Sequence, residues 1–213
     1  MTPDLVVFDC DGVLVDTEHA TAAVIAENFT QYGLPLSGDE VADLFTGGTM
    51  DTVMDEGKRR GADLPDGWLD EIYSLIYARL AQGVDVFDGV FQLLDALVEA
   101  GVPHYIASNG TMQKMRLSLG PSGLWDRFDG RIMCREDYLP KPDPAMILHA
   151  IARTNADPRK TVMIDDSTAG CSAGIAAGVH TIGFATEGQD ADLAALGAEV
   201  ANSMSQVQQL ILN

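Results

Sequence analysis

The chain has 213 residues, which is enough for one ordinary domain or for one domain that carries a smaller insertion. Hydrophobic residues make up 46% of it, so a full core can be buried and wholesale disorder is not expected. The formal net charge of −19 repels nucleic-acid backbones and anionic lipid surfaces, so we expect neither as a partner. A phosphate ligand would also be repelled, so a site for one would need a local positive charge such as a metal ion.

The cysteines and the N-terminus bear on the location of the protein. Cys10, Cys134 and Cys171 show no CxxC spacing, so neither a disulfide framework nor a zinc cluster is expected. The N-terminus has no basic region and its apolar run ends at Asp9, unlike a signal peptide. No stretch approaches the ~20 apolar residues that span a bilayer. The sequence therefore predicts a cytoplasmic protein, for which we assume a monomer.

Short apolar runs alternate with helical patterns along most of the chain. A buried strand is predicted at residues 5–8, where a β-branched apolar run meets acids and a glycine. Later runs are followed by helical periodicity, which Gly101 ends in one case and Pro144 begins in another. This alternation is typical of a parallel sheet with helices on both faces. Further strands are predicted at 103–107, 131–134, 161–164 and 179–184, and helices at 89–100, 112–119, 144–154 and 168–177.

One long segment breaks the alternation. Between about residues 16 and 82 the sequence shows helical patterns and no convincing strand. This stretch is too long for a crossover connection and indicates an inserted helical bundle. We therefore predict an α/β fold with a Rossmann-like parallel sheet core, formed by residues 1–15 and 84–213. The inserted small all-α domain is predicted at residues 16–83.

The first polar motif follows the first predicted strand, at Asp9 and Asp11. Ligands of open parallel sheets bind beyond the carboxyl ends of strands, so these acids are expected in the binding site. Residues two apart in an extended chain share a side, so both carboxylates could address one ligand. Two such carboxylates repel each other unless a cation joins them. The alternative is a turn or a helix cap, since Asp-Gly is common in turns.

Two further motifs could hold an anion. Ser108, Asn109 and Gly110 end a predicted strand before a helix, where a hydroxyl and successive N–H groups form an anion site. Ordinary capping by Ser108 or Asn109 is the alternative. Lys141 precedes two prolines and could neutralise a phosphate oxygen together with the attacking group. A surface lysine at a turn is the alternative there.

Asp165 and Asp166 form the fourth motif, between another predicted strand and a helix. Adjacent carboxylates at the end of a buried strand are costly unless a metal or hydrogen-bond donors satisfy them. Hard oxygen ligands in an open aqueous site suit Mg²⁺. Capping of the next helix is the alternative. Together, the four motifs bring two pairs of acids, a hydroxyl and a lysine to the ends of four strands, which favours an enzyme.

The ordered motifs DxDGxL, SNG, KPDP and DDSxAG resemble those of the haloacid dehalogenase-like superfamily. The opening DxDGVL-DTE and the place of the insertion resemble its branch of β-phosphoglucomutases and sugar phosphatases, which includes bacterial 6-phosphogluconate phosphatases. The resemblance implies that the inserted domain is a cap, which closes over the site and contacts the leaving group. It implies a Mg²⁺-dependent phosphatase of a small phosphorylated sugar or sugar acid, acting through an aspartyl-phosphate.

The resemblance also implies catalytic roles. Asp9 would be the nucleophile, and Asp11 the acid/base that protonates the leaving alcohol and then activates water. Lys141 would bridge the phosphate and Asp9. The phosphoryl oxygens would be bound by Ser108, Asn109, Gly110 and Lys141.

The implied metal site draws on the same motifs. Mg²⁺ would be held by the Asp9 carboxylate, the Asp11 backbone carbonyl and Asp166, while Asp165 would order its water shell. Residues near or in the cap are expected to contact the substrate, although a plain helix-surface or loop role is the alternative for each. They are Thr17, Glu18, His19, Thr46, Gly47 and Gly48.

Two rival functions remain. β-Phosphoglucomutases have a histidine twelve residues after the nucleophile, where this chain has Thr21, and cap Lys-Gly and Arg groups, where it has Thr46-Gly47 and Met50. Without that positive clamp for a second phosphate, a phosphatase is favoured over a mutase. A non-catalytic binding domain of the same fold would be expected to lose charged motif residues, and none is lost. Within the phosphatase class, broad sugar-phosphate specificity is as tenable as a 6-phosphogluconate-like substrate.

Overall fold

The computed structural model describes residues 2–45, 49–186 and 188–212. Within these ranges the strands are β1 (Leu5–Phe8), β2 (Val15–Asp16), β3 (Asp85–Val86), β4 (His104–Ser108), β5 (Ile132–Cys134), β6 (Thr161–Asp165), β7 (His180–Phe184) and β8 (Glu199–Ala201). The helices are α1 (Glu18–Gln31), α2 (Gly38–Phe45), α3 (Met50–Arg60), α4 (Trp68–Leu80), α5 (Val90–Glu99), α6 (Met112–Leu119), α7 (Leu124–Arg127), α8 (Ala145–Thr154), α9 (Thr168–Ala176), α10 (Asp190–Ala195) and α11 (Met204–Leu212). None of these helices is both long and apolar enough to cross a membrane.

Six strands form one parallel sheet in the order β5-β4-β1-β6-β7-β8. The chain builds outward from β1 to β5 on one side and then returns to the other side of β1 with β6. Counting only these six strands, this is the 3-2-1-4-5-6 order of a doubly wound sheet. The predicted α/β fold with a Rossmann-like parallel sheet is confirmed. Ligands of such sheets bind where the order reverses, which here is beside the carboxyl ends of β1 and β6.

The central strand β1 is buried on both of its faces. Val6 and Phe8 belong to a core cluster that includes residues of α5, and Leu5 and Val7 to a second cluster that includes residues of α8. Successive side chains of a strand point to opposite faces, so an uninterrupted apolar run is needed to fill both clusters. The sheet is therefore covered by helices on both sides, as the alternation of strands and helices predicts.

The predicted elements differ from the structure at a few places. Residue ranges for five sheet strands were correct to within one residue, but the edge strand β8 was not predicted. β8 has three residues and its first, Glu199, is exposed, so it lacks the apolar run by which a buried strand is recognised. Pro144 was predicted inside the first turn of its helix and instead precedes α8, which begins at Ala145.

The long inserted segment folds into helices α1 to α4, which pack around a core of their own. Phe29 of α1 and Trp68 of α4 stack with ring centroids 5.5 Å apart and an interplanar angle of 10°. We call these four helices the cap. The two connections between cap and sheet pair with each other as the antiparallel ribbon β2–β3, in which Val15 faces Val86. The ribbon replaces the purely helical start predicted at residue 16, and the predicted boundaries at 15/16 and 83/84 stay a prediction.

A buried polar group joins the two longest helices of the cap. Asn28 of α1 is buried, accepts a 2.6 Å hydrogen bond from Trp68 Nε1 and donates a 2.8 Å hydrogen bond to Glu71 Oε1. The second oxygen of Glu71 accepts a 2.8 Å hydrogen bond from the hydroxyl of Tyr32. Because the buried Asn28 and Trp68 and the half-buried Tyr32 and Glu71 all have partners, the network fixes the register of α1 against α4.

We predict that Asn28→Ala destabilises the protein by about 1–3 kcal/mol, because it leaves the buried Trp68 N–H without an acceptor. The free energy of unfolding would be measured by urea denaturation. Glu27→Ala, on the exposed face of the same helix, is the control and should stay within about 0.5 kcal/mol of the wild type. Equal stability of the two variants would contradict a structural role for this network.

Candidate active site

Four chain segments meet at the carboxyl edge of the sheet. Asp9 follows β1 directly, Ser108 is the last residue of β4, and Asp165 is the last residue of β6. Lys141 comes from the connection between β5 and α8. The parallel pairing of β1 with both β4 and β6 brings these ends together, as expected for a doubly wound sheet.

Lys141 is buried between two carboxylates. Its Nζ lies 2.6 Å from Asp165 Oδ2 and 2.9 Å from Asp9 Oδ1. Asn109 holds the backbone of Lys141 from both sides, because its Nδ2 donates to the Lys141 carbonyl at 2.9 Å and its Oδ1 accepts from the Lys141 N–H at 2.7 Å. Only 4% of Lys141 is exposed, so the alternative of a surface lysine at a turn is wrong.

The pKa of Lys141 shows how strongly this amine is held in its charged form. Burial lowers the pKa of Lys141, but the charges of Asp165 and Asp9 and the hydrogen bond to Asp165 raise it by more, so it lies above its usual value. The lysine therefore stays protonated and supplies a fixed positive charge at the floor of the site.

One amine does not neutralise the acids around it. Carboxylate oxygens of Asp9, Asp165 and Asp166 lie within 4.8 Å of one another. Burial raises the pKa of Asp9 to about 7, with Lys141 opposing the rise and Asp165 adding to it. Burial, together with the charges of Asp165 and Asp9, raises the pKa of Asp166 to about 9. These shifts report an excess of buried negative charge.

The donor set fits a hard divalent cation. Both oxygens of Asp165 already accept hydrogen bonds from the protein. Oδ2 accepts one from Lys141 Nζ, and Oδ1 accepts one from Ser167 N at 3.0 Å and one from Ser167 Oγ at 2.7 Å. Asp9 Oδ1 is buried and has only the Lys141 ion pair, whose geometry is not that of a hydrogen bond. Carboxylate oxygens that lack hydrogen-bond donors are the ligands that such a cation takes. Asp9 and Asp166 are thus better suited to direct ligation than Asp165.

Two glycines allow the backbone to approach these acids. At Gly12, with φ +76°, a Cβ would lie 2.1 Å from Asp166 Oδ2. At Gly170, in the first turn of α9, a Cβ would lie 1.7 Å from Asp165 Oδ2. Any side chain at either position would push a carboxylate out of place, so glycine is required by the site and not only by the turn.

Asp11 is held apart from the three clustered acids. Its Oδ1 accepts a 2.7 Å hydrogen bond from Thr17 Oγ1, and its Oδ2 a 2.7 Å charged hydrogen bond from Lys114 Nζ. Asp11 is not part of the cluster of Asp9, Asp165 and Asp166, but it lines the same cleft as Asp9, which agrees with the prediction that the two could address one ligand. Lys114 was missed as a site residue, although a lysine one turn into the helix after the SNG motif was the available signal.

The helices that start at the site are capped by residues other than the motif acids. Thr111 caps α6 by accepting a hydrogen bond from Lys114 N at 3.2 Å, and Ser167 caps α9 by accepting from Gly170 N at 3.0 Å. Capping by Ser108, Asn109 or the two aspartates was therefore the wrong alternative. Ser108 is buried, and its Oγ accepts a 3.0 Å hydrogen bond from Gly110 N.

A cleft of about 400 Å³ opens between the sheet edge and the cap. Its sheet side includes both motif acids of the first loop, the SNG motif and two cations that the motifs did not identify. Its cap side is rich in hydroxyls and aromatic rings. The lining residues are Asp9, Asp11, Ser108, Asn109, Gly110, Thr111, Lys114 and Arg135 from the sheet side, and Thr21, Thr49, Met50, Tyr73, Ile76 and Tyr77 from the cap side.

The expected cap-side contacts lie elsewhere or cannot be placed. Thr17 is buried and bonded to Asp11, so it touches the acid/base candidate and not the cleft. Glu18 is exposed. The pKa of Asp166 is raised mainly by burial and then by the charges of Asp165 and Asp9, and the charge of Glu18 makes a smaller contribution in the same direction. His19 is exposed, and its Nδ1 lies 2.7 Å from Asp16 Oδ2. Thr46, Gly47 and Gly48 lie outside the described residues.

Comparison with known sequences agrees with the arrangement of the motifs. The sequence profile described as "Haloacid dehalogenase-like hydrolase" matches residues 6–184. The chain belongs to this family. The superfamily predicted from the four motifs is thereby confirmed.

Relatives of this haloacid dehalogenase-like hydrolase have named activities. The 6-phosphogluconate phosphatase of Escherichia coli (strain K12) is 30% identical over 187 residues, which cover 86% of this chain and 83% of the relative. A phosphoglycolate phosphatase of Agrobacterium fabrum is 28% identical over an alignment that covers 84% of this chain and 79% of the relative. A Deinococcus radiodurans HAD family hydrolase, solved with bound phosphate and sodium, is 32% identical with a TM-score of 0.85, covering 96% of this chain and 93% of its own. The predicted class, a phosphoric monoester hydrolase, is confirmed.

We predict that Asp166→Asn separates stability from cation binding. Without a divalent cation at neutral pH, the variant should be more stable than the wild type by about 1–3 kcal/mol. The wild type must either hold the Asp166 charge beside Asp9 and Asp165 or take up a proton to neutralise it, and the amide needs neither. With Mg²⁺ added, the wild type should gain stability and the variant should gain little.

Urea unfolding with and without MgCl₂ measures both effects. Asp129→Asn, at an exposed position, makes the same chemical change away from the site and should respond to Mg²⁺ as the wild type does. An equal Mg²⁺ response of wild type and Asp166→Asn would show that Asp166 is not a ligand.

Proposed function

We propose that this haloacid dehalogenase-like hydrolase is a Mg²⁺-dependent phosphatase of a small phosphorylated sugar or sugar acid, acting through an aspartyl-phosphate on Asp9. One observation carries the proposal. Asp9 lines the cleft, and its buried Oδ1, which accepts no hydrogen bond, lies 2.9 Å from Nζ of the buried Lys141. Such a carboxylate is available to attack an electrophile, and the lysine offsets its repulsion from a phosphate ester.

In the first displacement, a carboxylate oxygen of Asp9 forms a bond to phosphorus as the ester P–O bond breaks. The electron pair of that bond leaves with the alcohol oxygen, which takes a proton from Asp11. Lys141 offsets the negative charge that develops on the phosphoryl oxygens. Its position is fixed by the ion pair with Asp165 and by the two hydrogen bonds between the Asn109 side chain and the Lys141 backbone.

In the second displacement, water attacks the phosphorus of the aspartyl-phosphate. Asp11, now a carboxylate, removes a proton from that water as the bond between phosphorus and Asp9 breaks. Phosphate is released and Asp9 is restored as a carboxylate. The hydrogen bonds from Thr17 and Lys114 position Asp11 at the cleft in the carboxylate form that the second displacement uses.

Mg²⁺ would be held by Asp9 and Asp166, together with the backbone carbonyl of Asp11 that the family resemblance implies. When bound, it would offset the negative charge of the acids and of the phosphoryl group. Asp165 would not bind the ion directly, since the side-chain hydrogen bonds that it makes with described residues, to Lys141 and Ser167, already occupy both of its oxygens. The Deinococcus radiodurans relative was solved with bound phosphate and sodium, which supports the binding of an anion and a cation by members of the family.

The phosphoryl group would be bound at the end of β4. Ser108 brings a hydroxyl, and Asn109 and Gly110 bring backbone N–H groups at the start of α6. The Gly110 N–H now donates to Ser108 Oγ and would be shared with a phosphoryl oxygen.

The cleft favours water over a second sugar phosphate as the acceptor. Thr21, which stands where mutases carry a histidine, lines the cleft with a neutral hydroxyl. The cap side adds Thr49, Tyr73 and Tyr77, which suit the hydroxyls and C–H faces of a sugar. The names of the relatives, 6-phosphogluconate phosphatase and phosphoglycolate phosphatase, support small phosphorylated acids and sugars as substrates.

We predict that Asp9→Asn abolishes turnover, because an amide oxygen is a poor nucleophile toward a phosphate dianion. The measurement is Mg²⁺-dependent phosphate release from p-nitrophenyl phosphate and from a panel of phosphorylated sugars and sugar acids. Asp70→Asn, on the exposed surface of α4, is the matched control and should behave as the wild type does. A wild-type protein that releases no phosphate with Mg²⁺, or an Asp9→Asn variant that retains activity, would rule the proposal out.

Asp11→Asn should slow both displacements of a sugar phosphate by about 10²–10⁴-fold, the usual contribution of a general acid–base group. The first displacement of p-nitrophenyl phosphate should suffer less, because p-nitrophenolate departs without protonation. Rapid-quench experiments should therefore show aspartyl-phosphate accumulating in the variant with this substrate. If steady-state rates barely change and no phosphoenzyme accumulates, Asp11 is not the acid/base.

A further inference from the structure

The cleft contains a cation that the chemistry above does not use. Of its two basic lining residues, Lys114 is bonded to Asp11. Arg135 makes no hydrogen bond or ion pair with any described residue. It is also exposed to solvent.

An unpartnered arginine is unusual in this chain, which has 32 acidic and 13 basic residues. Most other described cations have partners: Arg59 and Arg60 with Glu56, Arg127 with Asp95, Arg159 with Asp157, Lys160 with Asp4, and Lys141 in the site. Among the other described cations, five also have no acidic partner, and none of them lines the cleft: Lys58, Arg79, Arg116, Arg131 and Arg153. Arg79 and Arg131 donate to backbone carbonyls, and Arg116 lies over the Trp125 ring. Arg135 therefore presents the cleft with a positive charge that no described acid offsets.

The position of Arg135 places it beyond the phosphoryl site. It directly follows β5, in which Cys134 is paired with Ser108 of β4. The acids that would hold the metal lie on the other side, at β1 and β6. Since neighbouring strands are ~4.8 Å apart, the end of β5 is roughly 10 Å from β1. A group that Arg135 contacts there would be carried by the leaving alcohol, several bonds from phosphorus.

The chemistry of the guanidinium selects the kind of group. Its planar fork of N–H donors matches the two oxygens of a carboxylate. A single positive charge balances a carboxylate monoanion, whereas a second phosphate would bring up to two negative charges into a cleft lined by Asp9 and Asp11. The hydroxyls of Thr49, Tyr73 and Tyr77 suit the polyol between the two anionic ends.

We infer that Arg135 binds a carboxylate of the leaving group, so that the substrate class is a phosphorylated sugar acid. This inference rests on the proposed function and narrows its substrate class. Arg135 thereby becomes a specificity residue, whereas the groups around Asp9 act on any phosphate monoester.

The test compares two substrates that differ only at the group in question. 6-Phosphogluconate ends in a carboxylate, and sorbitol 6-phosphate has a CH₂OH group in its place. The wild type should show a higher kcat/KM for 6-phosphogluconate. In Arg135→Ala the ratio of the two kcat/KM values should fall about ten-fold or more, chiefly through KM, because a charged hydrogen bond made in the bound state is lost.

Two further variants sharpen the comparison. Arg135→Lys keeps the positive charge but loses the planar pair of N–H donors, so it should retain part of the preference for 6-phosphogluconate over sorbitol 6-phosphate. Arg153→Ala removes an arginine that also lacks a described partner, from a helix outside the cleft, and should leave the ratio unchanged.

Several outcomes would overturn the inference. A wild type without preference for the carboxylate, or an Arg135→Ala variant with an unchanged ratio, would exclude the contact. An equal loss with both substrates and with p-nitrophenyl phosphate would assign Arg135 to the phosphoryl group. Failure of the wild type to hydrolyse p-nitrophenyl phosphate would refute the proposed function itself, whereas hydrolysis without Arg135-dependent discrimination refutes only the substrate class.

Discussion

The contact of one buried amine with two buried carboxylates, Lys141 between Asp9 and Asp165, is the interaction on which the rest of the site depends. Clustering two buried acids and the half-buried Asp166 costs free energy that a single lysine does not recover, as the raised pKa values of Asp9 and Asp166 show. The fold therefore keeps a local imbalance of charge at its reactive centre. An imbalance of this sign favours the binding of a divalent cation.

This arrangement is possible because the sheet and its loops are built for it. The reversal of strand order beside β1 brings the ends of β1, β4 and β6 to one edge. Glycines at 12 and 170 let the chain pass within contact distance of Asp166 and Asp165. Asn109 couples the loop after β4 to the backbone of Lys141. A change in any of these supports would alter the site without touching a reacting group.

The sequence predicts much of the sheet and its catalytic edge, because both leave strong local signals. A strand buried on two faces needs a continuous apolar run, and acids directly after such a run are visible as motifs. β8 was missed because an edge strand with an exposed residue has no such run. Lys114 and Arg135 were missed because their significance lies in which side chains surround them, Asp11 in one case and no described acid in the other. Pairing between distant residues is a property of the folded chain.

The ribbon formed by β2 and β3 has a consequence for how the cap can move. The two connections between the sheet and the cap are hydrogen-bonded to each other in this ribbon, so we expect them to move together and not as two independent hinges. Thr17 lies between β2 and the first turn of α1, and its hydroxyl donates a hydrogen bond to Asp11. A rotation of α1 against the sheet would therefore displace the Asp11 carboxylate, so the orientation of the cap and the position of this acid are linked.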